Sequence, residues 1–417
     1  MLVLARGQSI CYLDNTDGGA VNDILRALPE ETLEDVIVLD HSDQKWPIGI
    51  GMTSSTGNLF TDDMLTGQWV SFFESNFEIE SQYMTQELIS YACKAVFGVP
   101  GTTLLDVVRL VKNESYRNNI LNQLDDWKYK EVVEWWNDFE KNSEAQKRQI
   151  TASFLRRAGL MFRNRFLRYT LGQVPKTELN YRKWMDEGKI VLIKAPESLG
   201  NLATRIIMAI HVIGFWQGAL SRDDVPEGER PSFMLIADEP QTWLSQNEQA
   251  LDDIYSKARK YGFGIVSMFQ STKQVKKKSS SLLDIIFDNN PDLFAFHTSK
   301  KIEDYYNLDG FDPEDTPKYH FLAKIDGTET FMAEAPGVLE KKREDISRIL
   351  KSQKRKFNQH YLKVHKNIER RWQKWEEGAN IKERSSELQQ NGSKGFATQD
   401  SPKETECSST MSQRIEL

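Results

Sequence analysis

The sequence predicts an α/β protein. A parallel sheet carries an inserted all-helical region and a helical, then disordered, C-terminal tail. Three observations carry this expectation. Residues 9–40 read as strand, helix, strand, a βαβ unit that requires parallel pairing. From about Gln82 to about Gln173 apolar residues recur at helical spacing, with little β-branched clustering. Beyond them apolar strands resume and end in turn on polar residues: Lys194, the pair Asp238-Glu239, and Gln270.

The elements follow in order. Residues 1–8 read as the tail of a helix closed by Gly7. A short strand runs Ser9 to Leu13 with Asp14 at its end, and residues 15–19 (Asn-Thr-Asp-Gly-Gly) are turn chemistry. Val21, Ile24, Leu25 and Leu28 share one helix face, stopped before Pro29. Asp35 to Asp40 is a second buried strand. In the helical region, Leu104 to Val111 begins after Gly101-Thr-Thr, and Trp135 and Trp136 read as core. Residues 145–177 carry Lys147, Arg148, Arg156, Arg157, Arg163, Arg165, Arg168 and Lys176 and no acid. That run is either a solvated helix face or a surface that meets phosphates.

The sheet resumes with a strand at Lys189–Lys194, a loop over 195–201 and a long apolar helix over Leu202–Leu220. The strand from Phe233 leads into Asp238 and Glu239, and a helix follows through Arg259-Lys260. Strands then follow at Gly262–Gln270 and Asp292–His297, and a helix at Ser299–Tyr306. Past about Pro336, Ile346, Ile349, Leu350, Phe357, Tyr361, Val364, Ile368, Trp372 and Trp375 make one long basic amphipathic helix suited to docking a partner. From about Ile381 the composition is that of a disordered tail. The divisions are 1–80 and 179–335 for the two parts of the sheet domain, 81–178 for the helical insertion and 336–417 for the tail.

Composition narrows the class. The chain has 417 residues, is 39% hydrophobic and 28% charged, and has a formal net charge of −7. Nucleic-acid contact would therefore come from local basic patches, not from overall charge. Cys11, Cys93 and Cys407 are too widely spaced for a metal cluster and read as thiols of a reducing compartment. No apolar run approaches the roughly 18 residues of a membrane span. No secretion signal is legible at the start, so the expected location is cytoplasmic, with partners as the route to the inner membrane face.

The carboxylate pair is the chemical centre. Ligands of parallel sheets bind at the carboxyl ends of the strands, where Asp238 and Glu239 fall. One carboxylate can hold Mg²⁺ and its neighbour can orient or deprotonate an attacking water. The plainer alternative is a strand that ends in two solvated acids.

The ordered set of motifs resembles the HerA/FtsK group of ring ATPases, closest to the TraG-type coupling proteins of conjugation. The resemblance covers roughly residues 9–335. Phe233–Glu239 is similar to the Walker B strand. Tyr261–Gln270 is similar to the sensor strand. Residues 35–41 and the helical insertion near Thr102 fit the same pattern. The resemblance implies a RecA-like P-loop NTPase sheet, ATP and Mg²⁺ as cofactors, a homo-oligomeric ring (a hexamer in that family), and DNA as cargo. Secretion-apparatus or relaxosome proteins are its implied partners. It also implies roles: Asp238 holds Mg²⁺, Glu239 activates water, Gln270 senses the γ-phosphate, and Arg259 reaches a neighbour's nucleotide. Lys273, Lys276, Lys277 and Lys278, expected on a pore loop, are the candidate DNA contacts.

One departure is large. The family's G-x-x-x-x-G-K-[ST] loop occurs nowhere in this sequence. The expectation is a fragment that starts just downstream of that loop; the alternative is a non-hydrolysing subunit that binds partners or DNA. A second departure is residues 14–17 (Asp-Asn-Thr-Asp), which lack the relatives' Asp-Pro-basic pattern and leave Asp14 without an assigned role.

Overall fold

The structure is a computed structural model. It describes residues 8–51, 59–77, 83–125, 127–240, 254–278, 281–289, 291–298, 302, 306–325, 328–337 and 340–392. The expected helix tail at 1–8 and the helix at 299–306 lie largely outside them.

Five strands form the main sheet: β1 (Ser9–Asp14), β2 (Val36–Asp40), β3 (Ile190–Lys194), β4 (Phe233–Asp238) and β5 (Phe263–Met268). All pair in parallel, in the order β2-β3-β1-β4-β5. Strand periodicity splits their side chains between two layers. Cys11, Leu13, Ile37, Leu39, Val191, Ile193, Leu235 and Ala237 face one core, which includes α10 (Asn201–Leu220). Ile10, Tyr12, Val36, Val38, Ile190 and Leu192 face the other, under α1 (Gly19–Ala27). By length and composition α10 could cross a membrane, contrary to the expectation that no segment could. Within the fold it is a core helix, with 83% of its apolar window buried.

The helical region starts earlier than its periodicity predicts. It runs through α2 (Leu59–Phe77), α3 (Tyr83–Phe97), α4 (Leu104–Lys112), α5 (Glu114–Leu121), α6 (Lys130–Glu140), α7 (Glu144–Arg163) and α8 (Arg165–Gly172). Helix α2 places Trp69, Phe72 and Phe73 in the main core. A short α9 (Tyr181–Asp186) then leads back to the sheet.

Three other expectations need correction. The strand at 292–297 does not extend the parallel sheet. It is β6 (Leu293–Ala295), which pairs antiparallel with β7 (His320–Lys324), itself paired with β8 (Phe331–Glu334). Its Ala295 packs with Ile302, Leu308 and Leu322 in a separate small core. The lysines after β5 lie on α11 (Thr272–Lys278), not on a loop. Lysine is a good helix former, and buried Val275 anchors the turn. A helix α12 (Leu282–Asp288) follows.

The third correction concerns the C-terminal stripe. It forms two helices, α13 (Ser347–Phe357) and α14 (Tyr361–Gly392), and helix replaces the expected disorder over 381–392. The break at Asn358 has a cause: Asn358 bridges Ile48, the Gln359 amide donates to Pro47 O (3.2 Å) and the Tyr361 amide to Lys45 O (3.0 Å). Those donors are thus lost to the helix ladder. The stripe is satisfied within the chain. Ile346, Ile349 and Leu350 close the layer over β2, while Val364, Ile368, Trp372 and Trp375 join the main core.

Candidate functional site

Parallel register brings the polar strand ends to one edge. Asp14 and Asp40 both lie level with Lys194, and Asp238 lies level with Met268, two residues before Gln270. The loop after β3 is tied to the same edge. Ala195 N donates to Asp14 O (2.9 Å) and Glu197 N to Asn15 O (3.1 Å). Asp238, Glu239, Gln270 and the loop over 195–198 therefore meet at the carboxyl edge, as the sequence predicts.

Asp238 and Glu239 are half-buried and point to different neighbours. The Glu239 amide donates to Met268 O (3.0 Å), and its carboxylate accepts from the Gln270 amide at 2.9 Å. Glu239 has φ of 46°, a left-handed conformation that side chains other than glycine seldom adopt. The backbone thus spends strain to turn this carboxylate onto β5.

Asp238 faces the other way, toward β1. Burial raises its pKa, and the nearby Asp14 carboxylate adds to the rise. The Glu239 amide and the Tyr12 hydroxyl, which is hydrogen-bonded to Asp238, oppose it. Asp14 is fully buried; its Oδ1 accepts from Thr16 N (2.9 Å) and Thr16 Oγ1 (2.6 Å). Asp14 and Tyr12 are site residues that the sequence left unassigned. The available signal was register, because β1 must lie beside β4 for its terminal acid to reach Asp238. Gly18, at φ 82°, lets Lys194 lie over the turn: a Cβ there would sit 2.2 Å from Lys194 Cε.

A half-buried carboxylate whose ionisation is disfavoured by burial and by a neighbouring acid suits a hard divalent cation with oxygen ligands. Among the described residues no group of three or more ligating side chains assembles. Such an ion would take its other ligands from water and phosphate. The donor set fits the metal side of a nucleotide site. It does not supply a phosphate cradle, because the sequence holds no glycine-rich loop ending in Gly-Lys-Ser/Thr.

Arg259 is exposed, in the turn Ala258–Tyr261 that precedes β5. The strand length separates it from Gln270 by roughly 20 Å. It therefore cannot serve the carboxyl edge of its own sheet. Lys273, Lys276 and Lys277 are exposed on α11, just past that edge, and Lys278 ends the helix.

A buried hydrogen-bonded trio begins at the carboxyl end of β2, which two strands separate from β4. His41, next after β2, lies with Nε2 2.9 Å from His211 Nε2, and His211 Nδ1 is 3.0 Å from the Tyr181 hydroxyl. Burial lowers His41 to about 4, partly offset by Asp40, and holds His211 well below its ordinary value. The unfolded chain takes up these protons first, so stability is lost as pH falls from about 6.5 toward 4. Urea midpoints should drop between pH 7 and pH 5, and His41→Gln should flatten that slope. An equal slope in the variant would rule out His41 as its source.

No family model matches the sequence, and no curated protein matches it. Solved structures do. The unbound form of the bacterial conjugative coupling protein TrwBdeltaN70 aligns with a TM-score of 0.53 at 15% identity, over 82% of this chain and 81% of that one. TrwB with ADP and Mg²⁺ gives 0.53 at 16%, over 83% and 81%. TrwB with a non-hydrolysable ATP analogue gives 0.52 at 16%, over 82% and 80%. This chain thus has the fold of that coupling protein, a five-stranded parallel sheet carrying an all-helical region.

Proposed function

We propose that this chain is the motor part of a DNA-transfer coupling ATPase and supplies the metal and water side of its nucleotide site. One observation carries the proposal. Asp238 and Glu239 stand at the carboxyl edge of a parallel sheet, with Glu239 fixed to the Gln270 amide, in a fold shared with a nucleotide-binding coupling protein. ATP and Mg²⁺ are the cofactors this implies. Mg²⁺ would neutralise charge on the phosphates. Asp238, with Asp14 beside it, is placed to hold that ion. Glu239 is placed to accept a proton from a water at the edge. Gln270, whose amide donates to Glu239, would read the γ-phosphate in this proposal.

Arg259 acts on a neighbouring subunit in this proposal, because its own site lies at the far end of the strand. A homo-oligomeric ring follows. DNA is the cargo, met by Lys273, Lys276, Lys277 and Lys278 on α11. An ammonium is a point charge without planar register, which suits contacts made and broken along a backbone. Cytoplasmic placement belongs to the same proposal, with secretion-apparatus or relaxosome partners holding the ring to the membrane.

The absent G-x-x-x-x-G-K-[ST] string favours a second reading, a subunit that binds DNA or partners without hydrolysis. ATPase assays separate the two. The chain by itself should hydrolyse ATP at background, since the amide cradle supplies much of the phosphate affinity. Joined upstream to a glycine-rich phosphate loop, it should gain a steady rate that DNA stimulates. Persistent background from the joined protein would leave the second reading standing. A steady rate from the unjoined chain, lost in Glu239→Gln, would overturn the assignment of the phosphate cradle to another segment.

A further inference from the structure

We propose that the helical region carries a binding cavity for an acidic, leucine-rich peptide segment of a partner protein. A cavity of about 530 Å³ opens between α4, α7, α8 and α14. That volume falls in the range of ligand sites. Its floor is apolar: Leu105, Val108, Leu155 and Phe162. Its rim is cationic: Arg109, Lys112, Arg156, Arg163 and Arg168, against the single acid Glu369.

The rim cations fall into two groups. Arg109 pairs with Glu376 of α14, and Arg168 lies 3.5 Å from Glu369. Both guanidinium groups also lie over the Trp372 ring, at 4.8 and 5.3 Å from its centre. One wall thus already binds carboxylates borne on a helix. Lys112, Arg156 and Arg163 are exposed and have no ion pair among the described residues. They leave a surplus of positive charge around an apolar floor.

Gly159 is an independent sign that the space is kept open. It lies on the cavity wall in the interior of α7. Glycine there weakens a helix. Its backbone is helical, and a Cβ would meet nothing within 4 Å. Neither conformation nor packing asks for glycine at this place. Its effect is room in the cavity.

Charge and surface together select the occupant. Apolar side chains fill the floor, and carboxylates meet arginine forks bidentately. A nucleic-acid segment would match the rim, but the Trp372 ring on which a base would stack is already covered by two guanidinium groups. This site is separate from the carboxyl edge of the sheet and does not depend on nucleotide hydrolysis.

The test is fluorescence anisotropy on the full chain with a labelled short peptide alternating glutamate and leucine. Controls replace glutamate by lysine, or leucine by serine, and a labelled oligo-dT probes nucleic acid. Wild type should bind the first peptide at least about tenfold more tightly than either control, a difference readily resolved in Kd. Gly159→Leu should weaken that binding about tenfold with no fall in the unfolding midpoint, since leucine is the better helix former. Arg156→Gln with Arg163→Gln should weaken it similarly. Wild type failing to bind the peptide, or Gly159→Leu binding it equally, would overturn the proposal. So would oligo-dT binding that depends on Gly159 while peptide binding does not.

Discussion

Replacing Asp106 by alanine should lower stability by about 3–5 kcal/mol, the usual cost of stripping one partner from a buried ion pair. Asp106 is fully buried at the third position of α4. Its Oδ2 accepts from the Thr103 amide (2.7 Å) and the Thr103 hydroxyl (2.8 Å), closing the helix cap. The same oxygen lies 2.9 Å from an Arg371 nitrogen, and Oδ1 accepts from Trp372 Nε1 at 2.7 Å. One carboxylate thus caps α4 and holds α14 against it. Alanine leaves a guanidinium that is 12% exposed without its acid and an indole donor without an acceptor. Asparagine keeps acceptors but no charge, and should cost less, about 1–3 kcal/mol. Urea unfolding at neutral pH measures both. A loss below about 1 kcal/mol for alanine would mean that α14 is not held through this residue.

That network shows where sequence reading reaches its limit. The Thr103–Asp106 cap is local, and its spacing can be read directly from the sequence. Arg371 and Trp372 are more than 260 positions away. Their helical spacing announces an apolar face but not what covers it, so an external partner was the natural inference. The covering surface proved to be the chain's own helical region. The same limit explains β6. Its residues read as a strand, but pairing partners are set by tertiary packing, and it joined β7 instead of the parallel sheet.

The candidate site was more legible, for a physical reason. A parallel strand buried on both faces reads as an apolar run, and the first polar residue after the run marks its carboxyl end. That rule placed Lys194, Asp238, Glu239 and Gln270 on one edge, where the structure has them. It did not assign Asp14 and Tyr12, because their role depends on β1 lying between β3 and β4. Nothing in a strand's own sequence states which strands flank it. The lysines of α11 differ from expectation for another reason: a run of one charge reads as a loop until a buried neighbour such as Val275 pins it.

Mixing two inactive variants should restore ATP hydrolysis if Arg259 serves a neighbouring subunit. The protein for this experiment is the chain joined upstream to a phosphate-binding loop. Arg259→Ala alone should lower kcat by about 10³-fold or more, the scale at which arginine fingers act in other nucleotide hydrolases. Glu239→Gln alone should bring the rate near background, because the water then has no carboxylate to accept its proton. The two positions lie at opposite ends of the strands in one subunit, so neither can compensate for the other within a chain. In a head-to-tail ring, each site joins Glu239 of one subunit to Arg259 of the next. Equal mixing of the variants makes about one interface in four fully intact, since each neighbour is drawn at random. The mixture should therefore recover hydrolysis far above the mean of its components. Recovery should require exchange of subunits, so rings fixed by crosslinking before mixing should stay inactive. If mixing restores nothing although exchange is demonstrated by fluorescence transfer, Arg259 is not the residue that completes a neighbour's site. If Arg259→Ala leaves kcat unchanged, the arginine has no part in hydrolysis.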